Sequence, residues 1–476
     1  MNGEQGGWPA AHTLRPAHDG TEPRPPGAVR PDPETAPLLS AVDPQGSERP
    51  GDHETLLARV VWSRVTEPGD ATAGALVAAL GPLLALDLLT SRDPARAFAG
   101  TLRDRGGSGG AGEAGTVGPD PDVLSPRRLR AGVKRWLPRL SRADSLKDLA
   151  TAAALQLRVI TPESPTWPAQ LNDLGPHTPH ALWVRGAPRA VAPPSLAVVG
   201  ARASTTYGGQ VTMDLAGEAC DAGFTIVSGA AYGIDAVAHR TALAAGTPTV
   251  AVLAGGVDRP YPAAHDRLLS HVADQGAVCA ELPPGAAPTR WRFLQRNRII
   301  AALSRGVLVT EAGVRSGTLN TAGHAAELGR ALGAVPGPIT SPASAGCHRL
   351  VREYGAMLVT TRTEVRELLG APDAAASAGF EAASPAEAEG AQPVRDDPAP
   401  PAAVAWREPP FHSRVLDALP LSGSRSSSDV ARAAGLSQEE TRDALAELEL
   451  LGRVARAPGG DGSPLLWRLE RRSRFG

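Results

Sequence analysis

Arginines that stand beside glycines or aromatic rings are the residues of this sequence best suited to chemistry. The loop Gly200-Ala-Arg202-Ala-Ser204 follows an apolar run and precedes a helical pattern. Small residues let backbone N–H groups approach an anion, and a helix N-terminus adds positive potential. Arg202 would add a planar, permanently charged fork that suits phosphate. The loop therefore predicts phosphate binding, and a plain tight turn is the alternative. The dinucleotide fingerprint is not matched, because Arg202 replaces its second glycine.

A second loop of this kind is Ser228-Gly229-Ala-Ala-Tyr-Gly233-Ile-Asp235. Ser228, Gly229 and Gly233 would allow a bend that accommodates a phosphate. Asp235 favours a structural role as the cap of the next helix.

The most basic stretch of the central region spans residues 285–305, which hold five arginines and no acid. Trp291 and Phe293 alternate with the first arginines, Arg290 and Arg292. Cations for phosphates and rings for stacked bases are what single-stranded nucleic acid requires. A solvated helix face is the alternative, but such faces usually mix both signs. We expect Asn297 to be buried and to bond loop backbone.

The run from Glu311 through Ser316, Gly317 and Thr318 resembles a loop of hydrolases that cleave the N-glycosidic bond of nucleoside monophosphates. The glutamate that follows the glycine-rich run in those enzymes is missing here. The sequence predicts no catalytic residue, no metal ligand and no cofactor, and such a nucleotide-binding or nucleotide-hydrolysing activity stays the alternative function.

These loops require a sheet that brings them together. Apolar runs alternate with helical patterns from residue 196 onward, which predicts an α/β fold with a doubly wound, mainly parallel sheet. Loops at the carboxyl ends of such strands share one edge of the sheet, where ligands bind. The predicted strands are Leu196–Val199, Thr225–Val227, Thr249–Leu253, Val278–Ala280, Val307–Thr310, Gly333–Val335 and Met357–Val359. The predicted helices are Gly209–Ala222, Gly233–Ala245, Ala264–Gln275, Trp291–Leu303 and Leu319–Leu332.

Composition divides the rest of the chain. Residues 1–51 are rich in Pro and Gly and are predicted to be disordered, and residues 52–150 are predicted to form a helical domain with a Gly-rich insertion at 104–122. A helix-hairpin-helix or sterile-alpha-motif-like domain that contacts DNA and a packing domain are both compatible with its pattern. The sheet domain is placed at 155–370 and a linker at 371–405.

Residues 406–470 show the order helix, helix-turn-helix and hairpin, which predicts a winged helix. The second helix of the turn, beginning at Gln438, carries five acids against one arginine. Phosphate would repel such a face, so we expect protein contact or packing rather than DNA recognition. An interaction scaffold is therefore a third hypothesis for the chain.

The bulk composition sets limits on location and partners. The net charge is -2, so nucleic-acid contact must come from local arginine clusters. Three distant cysteines and an N-terminus without a signal-peptide pattern favour a cytoplasmic protein. The apolar segment from Ala73 to Leu89 is interrupted by Gly81, Pro82 and Asp87. It predicts a core helix pair rather than a membrane span.

With these loops in view, the chain resembles the DNA-processing protein A (DprA/Smf) family from about Val159 to Leu369, nearly half its length. Leu294 stands where the family often has Pro, and Ala201 where many members have Ser or Thr. The motifs that carry the resemblance are Val198-Val-Gly200-Ala-Arg202 with Tyr207-Gly208, Ser228 to Asp235, Gly256-Val-Asp258 with Tyr261-Pro262, Arg296-Asn297-Arg298, Glu311 with Ser316-Gly317-Thr318, and Val335-Pro336-Gly337.

The resemblance implies an extended Rossmann-like domain that binds single-stranded DNA without strong sequence preference. It also implies a homodimer that protects incoming DNA and loads a RecA-type recombinase onto it in natural transformation. A positively charged pocket would take phosphates and stack a base. The residues expected to contact DNA, from both lines of reasoning, are Gly200, Arg202, Ser228, Gly229, Gly233, Arg290, Phe293, Arg296, Asn297, Arg298, Ser316 and Gly317.

Overall fold

The computed structural model describes residues 31–44, 52–107, 122–314, 316–371, 411–420, 423–450, 453–457 and 466–470. The predicted linker, apart from Ala371, and residues 108–121 of the predicted insertion lie outside this part of the chain. So do residues 1–30 and 45–51.

Helices alone make up the described chain before the sheet. Asp70 caps the third of them by accepting from the backbone N–H of Thr72 and Ala73. Gly81, with φ of 81°, and Pro82 then separate this helix from the next, which confirms the predicted helix pair. The helices are α1 (Thr35–Val42), α2 (Asp52–Val65), α3 (Ala71–Leu80), α4 (Pro82–Leu89), α5 (Pro94–Gly107), α6 (Pro126–Trp136) and α7 (Arg142–Ala154).

Helix α1 corrects the prediction that residues 1–51 are disordered. Thr35, Leu39 and Val42 follow one another at helical spacing and are fully buried, so this short segment gains packing that its Pro-rich surroundings conceal. The Asp32 carboxylate accepts from the backbone N–H of Thr35 at 2.9 Å and fixes the start of the helix. No single helix among the described residues is long and apolar enough to cross a bilayer. Helices α3 and α4 reach that length and apolar character only together, and they are bent by 114° relative to each other.

The central unit is a nine-stranded sheet in the order β1-β2-β6-β5-β4-β3-β7-β8-β9. The pairs from β6 to β9 are parallel, while β1 and β2 join the β6 edge antiparallel. This confirms the predicted α/β, mainly parallel sheet. The strands are β1 (Arg158–Ile160), β2 (Leu182–Gly186), β3 (Ser195–Gly200), β4 (Thr225–Ser228), β5 (Thr249–Leu253), β6 (Ala277–Ala280), β7 (Gly306–Glu311), β8 (Ala331–Ala334) and β9 (Met357–Leu358).

The helices that connect the strands cover both faces, which makes the sheet doubly wound. They are α8 (Thr206–Asp221), α9 (Ile234–Ala244), α10 (Asp266–Gln275), α11 (Arg290–Leu303), α12 (Thr318–Glu327), α13 (Ala345–Glu353) and α14 (Arg362–Leu369). Helix α12 was predicted to continue to Leu332. It ends earlier, because Gly329 turns the chain with φ of 63° and Ala331 already belongs to β8.

Strand order reverses between β3 and β7. The chain runs from β3 to β6 on one side, and α11 then carries it back across to β7 on the other side of β3. The loops after β3 and β7 therefore diverge, and a crevice opens between them at the carboxyl edge. This switch point positions the site.

The helical unit shares a core with the sheet. Leu76, Trp62 and Trp136 belong to the same buried cluster as Trp183 of β2 and Val272 of α10. The Trp183 indole N–H donates to Ser63 Oγ at 3.2 Å. The two units are thus held together by apolar burial as well as by polar contacts.

The C-terminal unit is a winged helix, as predicted. The two strands of the expected hairpin, β11 and β12, pair antiparallel, and β10 adds a third strand beside β12. The elements are α15 (Phe411–Ala418), β10 (Arg425–Ser426), α16 (Ser427–Ala434), α17 (Gln438–Leu450), β11 (Val454–Ala457) and β12 (Leu466–Leu469).

The acidic helix α17 meets the helical unit. Glu439 pairs with Lys134 at 2.5 Å, and Glu440 lies 3.7 Å from Arg135. Both cations belong to α6, so the first turn of α17 is engaged in a protein contact. This contact agrees with the packing expected for the acidic face.

Candidate nucleic-acid interface

A groove of about 1120 Å³ opens at the switch point of the sheet. Its walls come from the loop after β3, the loop after β7 and the first turns of α11. Arg202, Arg290, Phe293 and Ser316 are among its lining residues. The sheet therefore brings together side chains that lie more than a hundred residues apart in sequence.

Phe293 is the centre of a cluster of rings and cations. The guanidinium carbon of Arg202 lies 5.3 Å from the centre of the Phe293 ring, and that of Arg296 lies 5.8 Å from it. Tyr261, from the loop after β5, places its ring centre 5.3 Å from the same ring. Such a cluster offers π faces for a base and cations for the phosphates beside it.

Arg202 and Arg290 are the exposed cations of the groove. Among the described residues, neither forms an ion pair within 4.0 Å, whereas the buried Arg292 and Arg298 each pair with a glutamate. A cation without a carboxylate partner is available for an external phosphate.

Arg296 lies deeper and is only 7% exposed. Its Nη1 donates to the carbonyl of Val252 at 3.0 Å, and its Nε has no hydrogen-bond partner. Burial lowers the pKa of Arg296 to about 10, so it stays charged at neutral pH. Gly229 makes room for it, since a Cβ there would stand 1.6 Å from Nη1.

Asp235 organises the neighbouring loop and lines the groove. Its carboxylate accepts from the backbone N–H of Gly229 at 3.2 Å and of Ala231 at 3.3 Å. Burial raises the pKa of this carboxyl, while the charge of Arg296 opposes the rise. Asp235 therefore fixes the loop rather than the backbone of its own helix.

Glycines and Asn297 hold the loops close together. The Asn297 amide donates to the carbonyl of Gly317 at 3.4 Å and to Asn320 at 3.1 Å, as expected for a residue that bonds loop backbone. Gly233, with φ of 75°, packs against the loop of Arg202, where a Cβ would stand 2.2 Å from the carbonyl of Ala201. Gly200 and Gly317 line the groove itself.

Ser228 and Arg298 are corrections to the predicted set of DNA contacts. Ser228 is fully buried and donates to the carbonyl of Val198 at 2.7 Å. Arg298 is 2% exposed and pairs with Glu281 at 2.7 Å. Neither side chain lines the groove, because each points into the interior of the fold and bonds a partner there. Trp291 and Arg292, also counted in the basic stretch, are likewise buried.

Tyr261 and Asp417 are groove residues that the predicted set of DNA contacts did not include. Tyr261 belongs to a sequence motif, Tyr261-Pro262, that could have signalled it. Asp417 belongs to the winged helix, and its carboxylate accepts from the backbone N–H of Trp291 at 3.2 Å, at the start of α11. The sequence of the C-terminal unit carries no signal for this contact.

Glu311, the centre of the alternative hydrolase hypothesis, has a buried carboxylate that is engaged in structural hydrogen bonds. It is 3% exposed, and its two oxygens accept from the backbone N–H and the hydroxyl of Thr205, both at 2.8 Å. It thereby fixes the residue that caps α8. Within the described part of the chain, no cluster of His, Cys, Asp and Glu fits a metal ion.

Comparisons with known proteins agree with this architecture. The model of the family "DNA recombination-mediator protein A" matches residues 158–370, and that of the "DprA winged helix domain" matches residues 396–460. A Mycobacterium tuberculosis protein named DNA processing protein DprA is 38% identical over 431 residues, which are 86% of this chain and 97% of that protein. Protein Smf of Escherichia coli is 38% identical over 63% of this chain and 76% of its own length.

A solved structure has the same fold. The X-ray structure of DNA processing protein A from Streptococcus pneumoniae matches 65% of this chain and 95% of its own with a TM-score of 0.50, at 30% sequence identity. A doubly wound sheet with these two matching domains defines a DNA-processing protein. The chain belongs to the DNA-processing protein A (DprA/Smf) family, as the sequence motifs predicted.

Proposed function

We propose that the chain binds single-stranded DNA in the groove at the switch point. One observation carries the proposal: Arg202, Arg296 and Tyr261 all converge on the ring of Phe293 in one open groove. Rings that stack any base, next to cations that take any phosphate, suit an unpaired strand of arbitrary sequence.

Each groove residue has a proposed part. Arg202 and Arg290 bind phosphates, because they are exposed and without a carboxylate partner among the described residues. Phe293 and Tyr261 stack bases, and Arg296 adds charge from beneath. Gly200, Gly317 and Ser316 line the groove and let the strand approach the backbone, while Gly229, Gly233 and Asn297 keep the loops in place.

The first expected result concerns salt dependence. Replacing Arg202 and Arg290 together by Ala should lower the slope of log K against log salt by about 1.4, since each lost phosphate contact contributes about 0.7 for a single strand. At about 0.1 M salt this corresponds to about 25-fold weaker binding. Anisotropy titrations of a labelled oligothymidylate at several salt concentrations measure both quantities.

Arg305→Ala is the matched control for one of these charges. Arg305 is exposed, but it lies at the opposite, amino edge of the sheet, where its backbone N–H bonds the carbonyl of Ser195. It should leave affinity and slope unchanged. Equal slopes for the wild type and the Arg202/Arg290 variant would refute the proposed groove.

We further propose that bound DNA is protected and handed to a RecA-type recombinase by a cytoplasmic homodimer of this chain, during uptake or repair of DNA. The support is the family itself, whose model is described as a recombination mediator. This part goes beyond the geometry of the groove, which concerns DNA alone.

A recombinase assay tests the mediator role. On single-stranded DNA covered by a single-strand-binding protein, the chain should shorten the lag before a RecA-type recombinase hydrolyses ATP. The Arg202→Ala/Arg290→Ala variant should not shorten it, because it no longer holds the strand. A lag that the wild-type chain leaves unchanged would contradict the mediator role while leaving DNA binding intact.

A further inference from the structure

A second concavity continues the groove toward the winged helix. It has a volume of about 530 Å³ and lies where the helical unit, the sheet unit and the winged helix meet. We call it the three-unit cleft. Thr289 and Asp417 line both the groove and the three-unit cleft, so the two concavities share a wall at the start of α11.

Cations outnumber anions among the lining residues of the three-unit cleft, although Arg64 pairs with Asp148 at 3.0 Å. Five arginines and two aspartates are among its lining residues. Two of the arginines, Arg139 and Arg292, share the single carboxylate of Glu67. The lining arginines are Arg64, Arg139, Arg292, Arg425 and Arg432, and the aspartates are Asp144 and Asp417.

The winged helix supplies the two lining arginines whose charges are least compensated by carboxylates. Arg425 donates to the carbonyl of Ala418 at 2.6 Å, and no carboxylate lies within 4.0 Å of it among the described residues. Arg432 is 61% exposed, and its contact with Asp429 is 3.6 Å long and on the surface. Surface pairs of this kind are weak, so a phosphate can replace the aspartate.

The chemistry of the lining indicates which part of a ligand it would contact. The described residues of the three-unit cleft include no aromatic side chain, whereas Phe293 and Tyr261 line the groove. Guanidinium groups without rings suit the phosphodiester backbone rather than the bases.

We propose that the DNA strand leaves the groove past Asp417 and enters the three-unit cleft, where Arg425 and Arg432 bind its phosphates. This inference rests on the proposed single-stranded DNA binding. It gives the winged helix a part in the binding track even though its acidic helix α17 is turned to the helical unit.

Oligomer length separates the groove from the three-unit cleft. We compare oligothymidylates of about 6 and about 18 nucleotides, lengths chosen around the usual site size of one binding groove. Arg425→Ala combined with Arg432→Ala in the full chain should lower the salt slope by about 1.4 for the long strand, or about 25-fold in affinity at about 0.1 M salt. The short strand should bind as it does to the wild type.

A charge-preserving variant excludes damage to the winged helix, and a variant of the shared wall tests the path of the strand. Arg425→Lys combined with Arg432→Lys keeps both charges and should retain the slope for the long strand. Asp417→Asn removes a negative charge from the shared wall but keeps an acceptor for the Trp291 N–H, so it should tighten binding of the long strand about fivefold, one contact's share at about 0.1 M salt.

The outcomes distinguish the two proposals. In one outcome, binding of the short strand depends on Arg202 while binding of the long strand is unchanged by the loss of Arg425 and Arg432. That result would refute DNA binding in the three-unit cleft and would support DNA binding in the groove. If Asp417→Asn weakens or leaves unchanged the binding of the long strand, the path past Asp417 is refuted. If neither strand depends on Arg202, the proposed function itself fails.

Discussion

Replacing Glu67 by Gln is expected to lower the free energy of unfolding by about 3–5 kcal/mol. The Glu67 carboxylate is 8% exposed and accepts from Arg292 Nη2 at 2.7 Å and Arg139 Nη1 at 2.9 Å. It joins the helical unit, which carries Glu67 and Arg139, to α11 of the sheet unit. The variant leaves two buried cations without their counter-ion, which costs more than the pair contributes.

In the wild type, protonation of Glu67 at low pH should lower the free energy of unfolding in the same way. Burial by itself would raise the pKa of Glu67, but the charges of Arg292, Arg139 and Arg414 lower it to about 2 from 4.5. Because the folded-state pKa is depressed, the stabilisation is complete above about pH 4.5 and is lost as the pH falls toward 2. The difference corresponds to roughly 3 kcal/mol. The free energy of unfolding of the Glu67→Gln variant should lack this contribution to its dependence on pH.

Glu163→Gln is the matched control for Glu67→Gln. Glu163 also joins the sheet unit to the helical unit, through Arg59 of α2, but its side chain is 44% exposed. An exposed pair contributes at most about 1 kcal/mol. Denaturant unfolding at neutral pH should therefore separate the two variants. Equal shifts of the midpoint would mean that burial of the Glu67 network adds nothing.

The sheet and the loops of the groove were predictable because they depend on local pattern. Buried parallel strands are continuous apolar runs, and the glycines after them mark turns to helices. Because loops at the carboxyl ends of parallel strands share one edge of the sheet, Arg202 and Phe293 were expected to lie in one site there. The structure places them 5.3 Å apart, guanidinium carbon to ring centre.

The partners of the arginines were not predictable. The stretch from residue 285 to 305 contains no acid, which favoured an all-cationic binding face. In the structure, Arg292 pairs with Glu67 from the helical unit, and Arg298 pairs with Glu281 before α11. Of the five arginines in this stretch, only Arg290 and Arg296 line the groove. Sequence reveals the type of a side chain, whereas its partner depends on how distant units dock.

The position of the winged helix escaped prediction for the same reason. Arg414 of α15 lies 5.7 Å from the ring centre of Trp291, and Asp417 bonds the Trp291 N–H. No local pattern encodes a contact across more than a hundred residues of chain. The groove therefore ends at a wall that belongs to another unit.

Phe293→Ala is expected to weaken binding of single-stranded DNA by about 1–3 kcal/mol, the usual contribution of one base stacked on an aromatic ring. This equals about 5- to 160-fold in Kd. The salt slope should stay at the wild-type value, because the ring itself contacts no phosphate. Phe293→Trp should bind as the wild type does, since every base stacks on any flat ring. Anisotropy titrations over a range of salt concentrations measure both quantities.

The ring could instead act only by holding Arg202, whose guanidinium lies over it. The two roles differ in what they do to the salt slope. If Phe293 only positions Arg202, Phe293→Ala should lower the slope by about 0.7, as Arg202→Ala does, and the double variant should lower it no further. If Phe293 stacks a base, the losses in binding free energy add and only Arg202→Ala changes the slope. Tyr354→Ala, which removes a 38% exposed ring outside the groove, should change neither quantity.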